Sequence, residues 1–397
     1  MNMADRLKNL GTETAFAVSS ESAEMARRGK KIYPFHIGDV NLKTPENIVQ
    51  ATIEAIRSGK TGYCSNYGLE ELRDLLAKEI NKTRGTRFGL ENVAVQPGGK
   101  PVIGKFLLTL MNPGDEVLYP NPGFPIYESL IRFYGGVAVP YGFREGKQNY
   151  ELKIENIEKS ITPKTRIMIF NNLHNPTGAE STETELAELT ALIERHNLDV
   201  LCDEAYFDIR YSGASRSLLS FPGMSERCVI LYTFSKKYAM TGWRIGAAIG
   251  PKKVIDKIAT LNVNHESCTN HFVQYGAIEA LSGSQEGYRR IISVLEQRRN
   301  AAVEILGSTR GIRCFTPDVT FYLFPNVSEA LKRKGVTDYE QFRAMSLEET
   351  GVSFCTRLHF GSPMPGEEDY YVRFAYSGIE VDQIREGLSK FKELIER

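Results

Sequence analysis

Short apolar runs recur along the chain, each followed by a polar cluster and then by a segment with helical spacing. They are "VAVQ" (93–96), "DEVLYP" (115–120), "IMIFNN" (167–172), "DVLCDEAY" (199–206), "CVILYTFS" (228–235) and "IGAAIG" (245–250). Runs this short, continuous rather than alternating and rich in Val and Ile, predict strands buried on both faces of a mostly parallel sheet. Between two of them, "STETELAELTALIERHN" (181–197) sets apolar residues at helical intervals, with Ser181 or Thr182 as N-cap and glutamates in the first turn. Strands alternating with helices predict an α/β domain, helices on both faces of its sheet, over residues 46–285.

The pattern then changes. "SQEGYRRIISVLEQRRNAAVEIL" (284–306) predicts one long amphipathic helix, and "VTFYLFPNV" (319–327) and "YYVRFAYS" (370–377) predict strands of a smaller α+β domain over 286–397. Residues 1–45 are expected to join it as an N-terminal arm. No internal repeat or low-complexity linker interrupts the chain.

Length agrees with this division, because 397 residues exceed the size at which a single core usually stops growing. Charge narrows the partners: 49 basic and 49 acidic residues, without long runs of either sign, speak against nucleic acid or an acidic membrane and for a small-molecule ligand. Cys64, Cys202, Cys228, Cys268, Cys314 and Cys355 are scattered, with no metal-like spacing, so the thiols are expected to be reduced and no metal is expected. The start, "MNMADRLKNLGTETAFAV", has neither an apolar signal core nor a transit pattern, and no run reaches the ~18 apolar residues of a membrane span. A soluble, cytoplasmic protein is the expectation.

Ligands of open α/β sheets collect at the carboxyl ends of the strands, and here those ends are reactive. One run ends in "NNLHNPTG", offering Asn171, His174 and Asn175; the next reaches Asp203 and Tyr206; the next reaches Thr233, Ser235 and Lys236. Taken singly, an Asn-Pro-Thr-Gly makes a turn, a strand-end Asp caps a helix, and a loop lysine is a solvated charge. Together, an amide, a carboxylate, a phenol and an amine meet the needs of pyridoxal phosphate. That cofactor requires a lysine for its aldehyde, an acid for its ring nitrogen, donors to its phenolate oxygen and an anion cradle.

"SKKYAMTGWRIG" (235–246) resembles the lysine signature of the fold-type I pyridoxal-phosphate enzymes, and within them of the class I aminotransferases. The signature is Ser-Lys, five residues, Gly, any residue, Arg, an aliphatic residue and Gly. It falls on Ser235, Lys236, Gly242, Arg244, Ile245 and Gly246, which singles out Lys236 and leaves Lys237 as a solvated side chain. The resemblance implies that Asp203 of "DEAY" pairs with the ring nitrogen while Tyr206 and Asn175 share the ring oxygen. If "DEAY" begins a helix, its spacing puts Asp203 and Tyr206 on one face. "QPGGKPVIG" resembles the turn whose amides at Gly99 and Lys100 hold the phosphate, with Thr233, Ser235 and Arg244 completing the cradle. Phe124 of "NPGFPIY" matches the ring stacked on the cofactor, and Arg373 of "YYVRFAYS" the clamp for the substrate carboxylate, joined by Gly38 and Asn175. Tyr63 of "TGYCSNYGLEELRDLLA" matches a tyrosine that reaches the neighbouring subunit's phosphate, implying a homodimer with shared active sites.

The implied activity is transfer of an amino group between an L-amino acid and a 2-oxo acid; a C–S lyase or a specialised biosynthetic enzyme on the same fold is the alternative. Departures gather on the substrate side: "GDVNL" (38–42), Leu173, Val319, and "FCTRLHFG" (354–361), which is expected to bring Arg357 and His359 near the substrate mouth. In some relatives a lysine at the position of Lys100 binds a substrate's side-chain carboxylate, which would favour aspartate and glutamate; otherwise it adds charge near the phosphate.

Overall fold

The computed structural model describes all 397 residues. Its central sheet has seven strands: β1 (Val93–Gln96), β2 (Glu116–Pro120), β3 (Val137–Tyr141), β4 (Thr165–Phe170), β5 (Asp199–Asp203), β6 (Cys228–Thr233) and β7 (Gly246–Ile249). They lie in the order β1-β7-β6-β5-β4-β2-β3, all parallel except β7, which runs antiparallel to both of its neighbours. Alternate residues enter two different cores: Val93 and Val95 one and Ala94 the other, Met168 and Phe170 one and Ile167 and Ile169 the other. Both faces are therefore apolar, which explains why these strands read as unbroken runs. The exception is β3, an edge strand largely half-buried with Pro140 inside it, and its sequence carries no such signal.

Register brings the reactive ends to one edge. Gly246 opens β7 opposite both Gln96 at the end of β1 and Thr233 at the end of β6. Asp203 ends β5 beside Leu231 of β6. Helix Glu183–Arg195 starts at Thr182, whose hydroxyl accepts the Glu185 N–H while the Glu185 carboxylate accepts the Thr182 N–H. Thr182, not Ser181, is thus the cap.

A third core of 32 residues gathers the long helix Glu286–Gly307, strand Val372–Ala375, helix Val381–Glu396 and the arm residues Tyr33 and Phe35. Tyr33–Pro34 pairs in parallel with Val352–Ser353. Leu173, Tyr206 and Ile209 join this core from the central-sheet side, so it continues beneath the sheet edge. No helix is long and apolar enough to cross a membrane.

Two local expectations fail. "DEAY" does not begin a helix: after Asp203 the chain turns, Phe207 N–H donating to Glu204 O and Ile209 N–H to Tyr206 O. Buried Glu204 is held by Arg84, and Arg210 bridges to Val319, so the segment is drawn out of helical continuation. Nor is Lys237 solvated. It is buried, with Nζ 3.0 Å from Asp208 Oδ1 and 3.4 Å from Glu79 Oε1 and the Tyr238 and Tyr288 rings alongside.

Candidate active site

A cavity of about 500 Å³ opens at this sheet edge, between the central sheet and the third core. It is lined by Gly38, Gly99, Lys100, Phe124, Asn175, Asp203, Tyr206, Thr233, Ser235, Lys236, Arg244 and Arg373, whereas Tyr63, His174 and Arg357 are not part of its lining. Tyr63 lies outside it with 88% of its surface exposed.

Lys236 follows β6 on the segment that turns back into β7, and its Nζ donates to the Gly38 carbonyl at 2.8 Å. No carboxylate pairs with it. Burial, helped by the positive charges of Arg373 and Arg244 against an opposing pull from Asp39, lowers its pKa to about 8. A lysine so placed is partly a free amine near neutral pH and can act as nucleophile and base.

Asp203, buried at the end of β5, accepts from Tyr127 Oη at 2.6 Å and from the Ala205 N–H at 3.1 Å. Burial raises its pKa above the ordinary carboxylate value, and those two hydrogen bonds oppose the rise. Its backbone oxygen accepts from the Asn171 amide at 2.8 Å, and Asn171 Oδ1 accepts the Asn175 N–H at 3.0 Å, so the ends of β4 and β5 are tied together. Tyr206 shares a 2.7 Å hydrogen bond with Tyr322 across the cavity floor.

The end of β1 leads through Gly98 into helix Lys100–Leu110, with Gly99 at its N-cap and Pro101 in its first turn. The first amides of this helix have no intrahelical acceptor and its dipole favours an anion there. Gly98 has φ +99°, and a Cβ on it would lie 2.2 Å from Arg244 Nη2, so only glycine lets the guanidinium close over the turn. Arg244 itself has φ +55° and donates to the Thr241 carbonyl at 2.9 Å but to no carboxylate. Thr233 Oγ1 donates to Ser235 Oγ at 2.8 Å beside it. Amides, hydroxyls and an arginine without an acid make a site suited to a phosphate.

Arg373, buried in strand Val372–Ala375, is clasped between the Tyr322 and Phe360 rings, 4.5 and 4.6 Å from their centroids. It donates to Asn175 Oδ1 and to the His36 carbonyl, no protein carboxylate meets it, and its Nε has no partner at all. A buried guanidinium left in this state is costly unless a ligand supplies the anion. A Cβ on Gly38 would stand 2.2 Å from Tyr322 Oη, so this wall also requires glycine.

The cavity thus offers, in one space, a phosphate cradle, a buried acid for a ring nitrogen, phenol and amide donors, and an amine without a counter-ion. This set fits pyridoxal phosphate.

Arg357 does not reach the substrate mouth. It is fully buried, paired bidentately with Glu367 at 2.6 and 2.9 Å, and donates to the Gly361 and Ser362 carbonyls, pinning the 357–367 loop from inside. His359 does line the cavity; its Nδ1 accepts the Thr356 N–H at 3.1 Å. Lys100 lines it too, in an ion pair with Glu13 of the arm. Tyr127 and Tyr322 escaped the sequence reading. Tyr127 sits three residues beyond Phe124, one turn on, but nothing local marks it as facing Asp203.

The model of the class I and II aminotransferase family matches residues 30–391, and the chain belongs to this family, whose members depend on pyridoxal phosphate. It is an amino-acid aminotransferase. The aspartate/prephenate aminotransferase of Cereibacter sphaeroides is 32% identical over 369 residues, 90% of this chain and 92% of that protein. The asparagine–oxo-acid transaminase of Streptococcus mutans is 29% identical over 100% of this chain and 99% of that one. The crystal structure of the aspartate aminotransferase from Rhizobium meliloti matches with a TM-score of 0.92 at 27% identity, covering 100% of this chain and 99% of that one.

Proposed function

We propose that this aminotransferase holds pyridoxal phosphate in the described cavity and moves an amino group from an L-amino acid to a 2-oxo acid in two half-reactions on one site. When bound, the cofactor supplies an aldehyde for the amino group and a ring that spreads the electron pair left at the substrate α-carbon. The observation that carries the reading is the state of Lys236: a desolvated amine with only a carbonyl partner, facing Asp203, Arg244 and Arg373 across one cavity.

Lys236 Nζ is the amine that holds the cofactor through its aldehyde carbon. When not so engaged, the same Nζ would be the base that takes and returns a proton at the substrate α-carbon, a role favoured by a lysine pKa near the working pH. Asp203 keeps the ring nitrogen protonated; Tyr127 and the Ala205 N–H orient its two oxygens. Arg244, Thr233, Ser235 and the amides of Gly99 and Lys100 bind the phosphate. Phe124 would pack against the ring, and Tyr206 and Asn175 would donate to its oxygen. Arg373 clamps the substrate α-carboxylate beside Asn175 and Gly38, which fixes the α-carbon against Lys236.

Tyr63, exposed and not among its own cavity's lining, is assigned to the phosphate of a second copy, making a homodimer with shared sites. Six free cysteines support a reducing compartment, the cytoplasm.

The test is a steady-state assay of the holoenzyme with an amino acid and 2-oxoglutarate or pyruvate. The reading expects parallel double-reciprocal lines and one new amino acid per 2-oxo acid released. Release of ammonia and a 2-oxo acid without any acceptor would instead place the chain among the lyases.

A further inference from the structure

The substrate's amino and carboxylate groups have partners on the chain; its side chain meets what remains of the cavity wall. That wall includes Glu13, Phe16 and Ile37 of the arm together with Lys100, Phe124, His359 and Phe360.

Glu13 is not on a loose tail. Two residues before it, Gly11 N–H donates to Ser129 Oγ at 2.9 Å and the Ser129 hydroxyl donates back to Gly11 O at 3.2 Å, tying the arm to helix Ile126–Phe133. Just beyond it, helix Ala15–Arg27 is tied to strand Val352–Ser353 by a 2.7 Å bond between the Ser22 and Ser353 hydroxyls and to helix Tyr339–Thr350 by Glu21 paired with Arg343 at 2.6 Å. Between these anchors the Glu13 carboxylate reaches into the cavity and pairs with Lys100 Nζ, which also lies 5.5 Å from the Phe124 ring.

Arg244, Arg373 and Lys236 are assigned to phosphate, α-carboxylate and aldehyde, and Asp203 to the ring nitrogen. Glu13, Asp39 and Lys100 are left, two carboxylates against one ammonium. The nearby imidazoles do not change the sum: burial lowers the pKa of His36 to about 4 and lowers that of His359 as well. A substrate carboxylate arriving here finds its one cation already paired and a like charge beside it. An uncharged side chain finds Phe16, Ile37 and Phe360.

We infer that Glu13 is a specificity-determining residue, which neutralises Lys100 and turns the site toward amino acids with uncharged side chains and away from dicarboxylic ones. The inference rests on the aminotransferase reading above and deepens it. The attraction of a freed ammonium for a carboxylate across a partly solvated site is worth about tenfold in affinity.

The test compares kcat/KM for L-leucine and L-aspartate in the wild-type holoenzyme and in Glu13→Gln. The wild type is expected to favour leucine, and Glu13→Gln is expected to raise the aspartate-to-leucine ratio about tenfold, through the KM for aspartate. Succinate, a dicarboxylate without an amino group, should bind the Glu13→Gln holoenzyme more tightly by a similar factor in a titration of cofactor absorbance. A purely structural role for Glu13 would not move that ratio or that Kd. Adding Lys100→Met to Glu13→Gln should cancel both gains, because they come from the released ammonium. Wild type preferring aspartate, or an unchanged ratio and succinate Kd in Glu13→Gln, would overturn the inference while leaving the aminotransferase reading intact. Failure of the holoenzyme to transfer from any of a panel of L-amino acids would overturn the two-half-reaction reading and the inference together.

Discussion

Lys236 and Lys237 are neighbours in sequence, both removed from bulk water, and they have opposite surroundings. Around Lys236 stand a carbonyl and two arginines with no carboxylate in ion-pair contact, and burial, only partly opposed by Asp39 and Glu13, brings its pKa down to about 8. Around Lys237 burial also disfavours the charge, but Tyr232, Asp208 and Glu79 outweigh it and its pKa is raised. The difference shows that burial alone does not make a lysine reactive: the absence of a counter-ion does. It also divides the labour of one short segment. Lys237 fastens it to Glu79 of helix Glu70–Arg84, while Lys236 projects into the cavity.

The most severe break in this contrast is Lys236→Ala, expected to lower kcat at least ~10³-fold in a transamination assay while the far-ultraviolet circular dichroism stays that of the folded protein. At Lys237 the loss falls on stability. Lys237→Met leaves Asp208 and Glu79 facing each other without their cation and should cost about 3 kcal/mol in urea unfolding, with kcat per folded molecule within a few-fold of wild type.

These two outcomes mark what the sequence could and could not disclose. The sheet was legible because β1, β2, β4, β5, β6 and β7 are apolar on both faces, and residues that line the cavity were legible because each sits at a strand end or in a short motif. The fate of the other charges was not. Lys237 meets Glu79 from 158 positions away, Arg84 meets Glu204 from 120, and Glu13 meets Lys100 from 87. Each pairing is made by tertiary packing, and no local pattern encodes it. Arg357 belongs with them: its turn inward to Glu367 depends on how the following loop folds back. Similarly, "DEAY" has helical spacing, but Glu204 and Arg210 are held by partners elsewhere in the chain.

A subtler contrast lies in pH. Lys236 has a folded pKa below its unfolded value of 10.5, so its buried charge weakens the fold fully below about pH 8, and the penalty fades as pH rises from 8 to 10.5. Lys237, with its pKa raised, contributes stability that is fully present below 10.5 and lost only as pH rises through the higher folded value. In protein freed of cofactor, Lys236→Met should therefore be more stable than wild type by roughly 1–2 kcal/mol at pH 7, the gap closing toward pH 10.5. Urea titrations at several pH values measure it; a gap that widens with pH would contradict the assignment.

The smallest effect concerns Tyr127→Phe, which removes one donor from Asp203 and leaves its other hydrogen bond in place. The loss should be about 1 kcal/mol, a fall of roughly fivefold in kcat/KM, since the carboxylate is less well held against the ring nitrogen.

The division between the two lysines is tested most directly by locating the cofactor chemically. Borohydride reduction of the holoenzyme fixes the cofactor to the nitrogen that holds it, and peptide mass spectrometry then reads its position within "FSKKYAM" (234–240). The account predicts the added pyridoxyl mass on Lys236 with Lys237 unmodified. The same mass on Lys237, or on a lysine outside this segment, would contradict it.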